Sequence, residues 1–251
     1  MSSSNRLLFA AGALTPYTER SPLASLTRSL PEAVQNAGNF EIRLMMPCYA
    51  GINERKHNLH EVIRLSDTEV PMGADTETVT VKVASVPDTQ LQVYFMDHDS
   101  YFGQDGSAND TDDDAYRALF FSRSVLETIR ELRWGPDLIH SFGWITSFMP
   151  SLLAISYADA DLFDTTRSVF TPGETDPGAR VQSAFAERTG LSLDGNTGST
   201  LPELGHAYAD TTILAPPQSP SDGLPVFDED AVPRTEQAVS LYDQMLSEVP
   251  A

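Results

Sequence analysis

The sequence contains one cysteine and two lysines in 251 residues. Cys48 alone excludes an internal disulfide and a thiolate metal cage. Lys56 and Lys82 leave positive charge almost wholly to arginine, and 16 basic groups against 36 acidic ones give a net charge of −20. Such a chain repels phosphate backbones and anionic lipid, which argues against nucleic acid and membrane as partners. No run approaches the roughly 18 apolar residues of a membrane span, and residues 1–5 lack the basic stretch of a secretory signal. A cytoplasmic protein is expected. Generic motifs are missing too: there is no Gly-x-Ser-x-Gly elbow, no Walker loop and no Gly-x-Gly-x-x-Gly after the first apolar run. The acidic, lysine-poor composition suits a halophilic setting, where dense salt relieves self-repulsion.

What is present is a strand–helix alternation on a 41% hydrophobic background, long enough to bury a sizeable core. The run 6–10 reads as a strand, and Ser21-Pro22 as the N-cap and first residue of a helix. Leu23, Leu26, Leu30, Val34 and Ala37 recur at helical spacing, with Pro31 inside the pattern and Gly38 at its end. A second strand at 41–46 completes a βαβ unit and hence a parallel sheet. Runs 78–86 and 91–97 form a hairpin, and 115–132 predicts a long helix. A strand at 137–140 leads into an apolar helix over 144–157, followed by a strand at 168–171, a helix near 180–188 and a strand within 208–216. The fold class is therefore α/β, doubly wound, with a mostly parallel, Rossmann-like sheet. Residues 1–216 are expected to form this domain, 217–232 a proline-rich connector, and 233–251 a terminal helix packed back on it.

Two clusters invite a metal reading, and neither sustains it. His57 and His60, three apart with Glu61 beside them, could share a helical face as metal ligands, but they read better as solvated polar residues at an element's edge. The acidic stretch Asp97, Asp99, Asp105, Asp110 and Asp112–Asp114 lacks the glycine and closing glutamate of a calcium loop. No metal or cofactor is implied. In an open parallel sheet, ligands sit beyond the carboxyl ends of the strands. His140 and Trp144 lie at such an end, where an indole can stack on a sugar and an imidazole can bond its hydroxyls. The competing reading makes Trp144 a packed helix-start residue.

Residues in one consistent order then carry a family resemblance. They include Leu7-Leu8-Phe9 with Thr15-Pro16-Tyr17, Met46-Pro47-Cys48-Tyr49 with Asn53-Glu54-Arg55, and the stretch 59–65. Val93–Asp97 with Tyr101-Phe102 and Asp105-Gly106, Phe120–Arg123, Trp134–His140 and Tyr208–Asp210 follow. The chain resembles the N-terminal domain of starch and glycogen synthases, and most closely their short, stand-alone form. The resemblance implies a glycosyltransferase of the two-domain GT-B type that adds glucose from ADP-glucose to an α-1,4-glucan. It also implies α-glucan as a partner, and a separate protein completing the cleft as another. On the glucan side it points to Tyr17, Phe102, Asp105, His140, Trp144 and Thr146 as substrate-binding residues.

The chain departs from the family where the donor should sit. Synthases usually carry Lys-Thr-Gly-Gly-Leu-Ala-Asp after the first strand; here the stretch is Glu19-Arg20-Ser21-Pro22-Leu23-Ala24-Ser25. Glu19 reverses the charge that would meet a pyrophosphate, and Pro22 removes an N–H from the helix start. Arg20 compensates in part. The second motif, His-Ala-His-Asp-Trp-His-Thr, reads His140-Ser-Phe-Gly-Trp-Ile-Thr146, with Ile145 in place of its last histidine. No residue is assigned a catalytic role, and the second domain of the family is not expected in this chain. The readings are a family member in glucan synthesis that works with a partner, or, alternatively, a non-catalytic glucan-binding or regulatory module. A scaffold for protein contacts is a third.

Overall fold

Strand β1 (Asn5–Ala11) is apolar almost throughout because both of its faces are covered. The computed structural model describes residues 4–38, 40–103, 111–193, 195–218 and 223–247. Along β1 the side chains alternate: Leu8 and Ala10 enter one core, Leu7, Phe9 and Ala11 the other. Helix α1 (Pro22–Ala37) starts where Ser21 caps the backbone N–H of Ala24, and Gly38 closes it onto the carbonyl of Val34. It buries Ala24, Leu26, Leu30, Pro31 and Val34 against the sheet. Strand β2 (Phe40–Pro47) then pairs with β1 in parallel, completing the βαβ unit.

The chain continues through a one-turn helix α2 (Glu54–His57) and a short strand β3 (His60–Glu61). Next come β4 (Thr68–Met72), β5 (Asp75–Ser85) and β6 (Gln92–Asp97). Strands β4, β5 and β6 form an antiparallel meander, and β6 returns to pair in parallel with β2. A short helix α3 (Asp99–Phe102) precedes the long helix α4 (Thr111–Leu132). Strand β7 (Leu138–Phe142) pairs in parallel with β1 on the side opposite β2. Helix α5 (Phe148–Ser151) follows, then β8 (Arg167–Thr171), parallel to β7. Helices α6 (Ser183–Thr189) and α7 (Leu201–Tyr208), strand β9 (Thr211–Thr212) and helix α8 (Ala231–Ser247) complete the order.

The sheet order is β3-β5-β6-β2-β1-β7-β8-β9, with β4 attached to β5. It is doubly wound and mostly parallel, with α1 and α8 on one face and α4, α5 and α7 on the other. Sequence patterning needs correction in two places. The apolar stretch 144–157 is not one helix: a 3-10 turn at Trp144–Thr146, then α5, then a π-helix at Leu152–Ser156 replace it. Within 208–216, Tyr208 ends α7 and only Thr211–Thr212 pair as strand. Helix α7 was hidden because its start signal, a Thr200–Glu203 capping box, lies in a glycine-rich stretch.

Val70, Met72, Val79 and Val81 of the meander share a core with α4, and one side chain adds hydrogen bonds between them. Arg123 is 7% exposed; its guanidinium donates to the carbonyls of Pro71 at 2.5 Å and Thr189 at 3.2 Å. It thereby joins β4 and the end of α6 to the middle of α4. Beneath it, Tyr157 donates to Glu127 at 2.6 Å, and Arg130 pairs with the other oxygen of that carboxylate at 2.8 Å. Gly73, at the β4–β5 turn with φ of 89°, abuts the backbone carbonyl of Arg188, so a side chain there has no room.

Candidate functional site

The sheet changes winding direction at β1, whose two neighbours are β2 on one side and β7 on the other. Beyond the carboxyl ends of these strands lies a slot of about 150 Å³, where open α/β sheets place ligands. Gly12 and Ala13 follow β1, Tyr49 follows β2, Gly143, Trp144 and Ile145 follow β7, and Gly173, Glu174 and Thr175 follow β8; all line it. Ser21 and Leu23 close the slot from the start of α1.

Glycine is needed on its floor. A Cβ on Gly12 would stand 2.7 Å from Ile145 Cγ2, and Gly143 holds a φ of 82°. Leu23 lies over Gly143 and Gly173, within 3.2 and 3.3 Å of where their Cβ atoms would be. The walls are aromatic: the half-buried Trp144 and Tyr49. Burial pushes the Tyr49 hydroxyl far above the usual phenol range, so it stays protonated and can donate. Glu174 supplies an exposed carboxylate at the rim.

The sequence-predicted residues divide sharply. Trp144 and Ser21 line the slot. Glu19, Arg20 and Pro22 are exposed beside it and do not line it. Four of the proposed glucan-side residues are core groups instead. Tyr17 is buried with its hydroxyl donating to the Ser85 carbonyl at 2.8 Å, and burial pushes its pKa up to about 12. Phe102 is enclosed by Tyr49, Phe120 and Phe121. Thr146 is buried and donates to the Gly143 carbonyl at 2.8 Å. His140 is 0% exposed; its Nδ1 meets the Tyr242 hydroxyl at 2.6 Å and its Nε2 the Thr171 hydroxyl at 2.8 Å. Both ring nitrogens are occupied, so none is left for a sugar. Burial also drives this imidazole well below its ordinary pKa and keeps it neutral. Asp105 lies outside the described residues. Residue-level reading missed Gly12, Tyr49, Gly173 and Glu174 as lining groups. Each lies within three residues of a strand's carboxyl end, and that position was the available signal.

Among the described residues, one set of metal-ligating atoms converges, from Cys48, Glu54 and Asp97. Lys82 Nζ already serves its carboxylates, 2.6 Å from Glu54 and 2.7 Å from Asp97. Burial, reinforced by Asp97, pushes the Cys48 thiol up to about 12, so it is neither thiolate nor nucleophile at neutral pH. His57 packs edge-on against the Tyr17 ring, and His60 and Glu61 are exposed on β3.

Comparison with known proteins agrees with this architecture. Residues 6–194 match the starch synthase catalytic domain family. Curated glycogen synthases from Chlorobium phaeobacteroides and Chlorobium luteolum are 40% and 39% identical over 172 residues, 66% of this chain. The chain spans 35% of the length of those relatives. The solved catalytic domain of starch synthase IV from Arabidopsis thaliana, bound to ADP and acarbose, superposes with a TM-score of 0.69 at 20% identity. That likeness covers 84% of this chain and 45% of that one, and shows a shared fold. With the family match extending over most of its residues, this chain belongs to the starch synthase catalytic domain family.

Proposed function

We propose that this domain forms the glucan-facing half of a glycosyltransferase cleft used in α-1,4-glucan synthesis. The observation that carries the reading is the slot at the winding switch, floored by Gly12, Gly143 and Gly173 and walled by Trp144 and Tyr49. The glycines let Leu23 and Ile145 pack close over the strand ends, and flat aromatic walls stack on the apolar faces of sugar rings. The glycogen synthases among its relatives, and the acarbose held by starch synthase IV, support a glucan as the polymer handled here.

The slot alone offers little transfer chemistry. His140 and Thr146 point into the core, and Ile145 stands where the family motif has histidine. Transfer therefore requires a facing surface that supplies the donor site and the acid–base groups, on the same polypeptide or on a separate protein. In this scheme the domain positions the acceptor, its partner positions the sugar donor, and water is excluded between them.

Affinity electrophoresis through glycogen-containing gels tests the reading, with the protein held in molar KCl before loading. Retardation is expected. The Trp144→Ala variant should bind about tenfold more weakly, the equivalent of about 1.4 kcal/mol, with an unchanged circular dichroism spectrum. Unretarded migration of the unsubstituted chain would reject a glucan-facing role and favour a scaffold for protein contacts.

A further inference from the structure

We propose that the slot at the strand ends takes one uncharged hexose ring and turns away the diphosphate of a sugar nucleotide. The inference rests on the glucan-cleft reading and specifies the ligand class of the same site. Size is the first ground. At about 150 Å³ the slot falls below the roughly 300–1,000 Å³ typical of drug-sized ligands, and it suits a single six-membered ring better than a nucleotide.

Charge is the second. No lysine or arginine lines the slot, and the charged side chain that does is the carboxylate of Glu174. Glu19 is exposed in the loop leading to α1, and Arg20 beside it does not reach the lining. A diphosphate entering here would meet like charge, set in the field of a chain with a net charge of −20.

The closed start of α1 is the third. A helix opening onto a ligand site binds anions through its free backbone N–H groups. In α1 the first residue is Pro22, which has no N–H, and the third N–H, of Ala24, is taken by the Ser21 hydroxyl at 3.0 Å. Leu23 alone of the first three residues keeps an N–H without such a partner, and its side chain lies across Gly143 and Gly173. The anion cradle is thus both capped and covered. What remains carries no positive charge and is suited to hydroxyls: the Tyr49 and Ser21 hydroxyls, the Glu174 carboxylate and the face of Trp144.

Two-dimensional nitrogen–proton NMR in high KCl tests this through the indole N–H of Trp144, assigned by its loss in Trp144→Phe. Maltotriose, ADP and ADP-glucose are titrated separately. Maltotriose is expected to shift the Trp144 signal saturably, while ADP and ADP-glucose bind at least tenfold more weakly. ADP-glucose moving that signal at equal or lower concentration than maltotriose would overturn the inference and leave the glucan-cleft reading standing. Retardation by glycogen with the Trp144 signal unmoved by maltotriose would also overturn it, because glucan would then bind elsewhere. Absence of both retardation and a maltotriose shift would reject the two readings together.

Discussion

His140 shows how a residue at the expected place can have a different role. Its position at a strand end was legible, and so was its parity with Leu138 and Phe142 along β7. That parity turns it toward the core beneath α8, where Tyr242 arrives from 102 residues downstream. No local pattern announces a partner so distant. The consequence is a pH dependence of stability. In the unfolded chain the ring takes up a proton near its ordinary 6.5, whereas in the folded chain burial holds it neutral to well below that. Between those values the unfolded state binds more protons, so stability is full above about pH 6.5 and falls as the pH drops below it. The slope contributed is at most about 1.4 kcal/mol per pH unit. Urea denaturation at pH 7.5, 6.5 and 5.5 should show this loss, and His140→Gln, though less stable throughout, should show a flatter dependence. Equal slopes would assign the effect to other groups.

The alternation of β1, α1 and β2 was readable because caps, proline, glycine and apolar spacing all agreed there. The stretch 144–157 was misread because apolar character alone does not distinguish an α-helix from 3-10 and π turns. Gly143 at positive φ opens the 3-10 turn, and Pro150, inside α5, lacks the N–H that one continuous helix would bond there; hydrophobic period registers neither. The β4–β5 meander depends on a contact of another kind, the two bonds from Arg123 to carbonyls on different elements. Replacing Arg123 with Met should cost about 2–4 kcal/mol, since two carbonyls and the nearby Glu127 lose a buried partner. Arg123→Lys should recover less than half of that loss, because one ammonium cannot reproduce a planar fork that reaches both elements. Hydrogen exchange locates the effect: amides of β4 and α6 should lose protection in Arg123→Met while those of β1 and β7 keep theirs. Uniform loss across the sheet would contradict a local clamp.

For the whole molecule, the doubly wound class and a slot beyond the strand ends followed from the sequence, because both depend on chain order. Which side chains reach the slot did not follow, because that depends on how four loops meet. No helix among the described residues is long and apolar enough to cross a membrane. The chain carries 36 carboxylates against 16 cations, and exposed ion pairs such as Arg180–Glu203 at 3.9 Å offset little of that imbalance. Self-repulsion in the folded state is therefore an unfavourable term that salt can reduce. The screening length shrinks from about 10 Å at 0.1 M to about 3 Å at 1 M, which removes repulsion between like charges beyond immediate neighbours. Weak surface pairs are screened too, but they are outnumbered. If screening returns about 2 kcal/mol, the thermal midpoint should rise by about 4–8 °C between 0.1 and 2 M KCl. Most of that rise should come below 1 M, where the screening length changes most. Scanning calorimetry over a KCl series reads both the size and the shape of the change. A flat or falling midpoint would mean that specific ion pairs, not net charge, govern the stability of this domain.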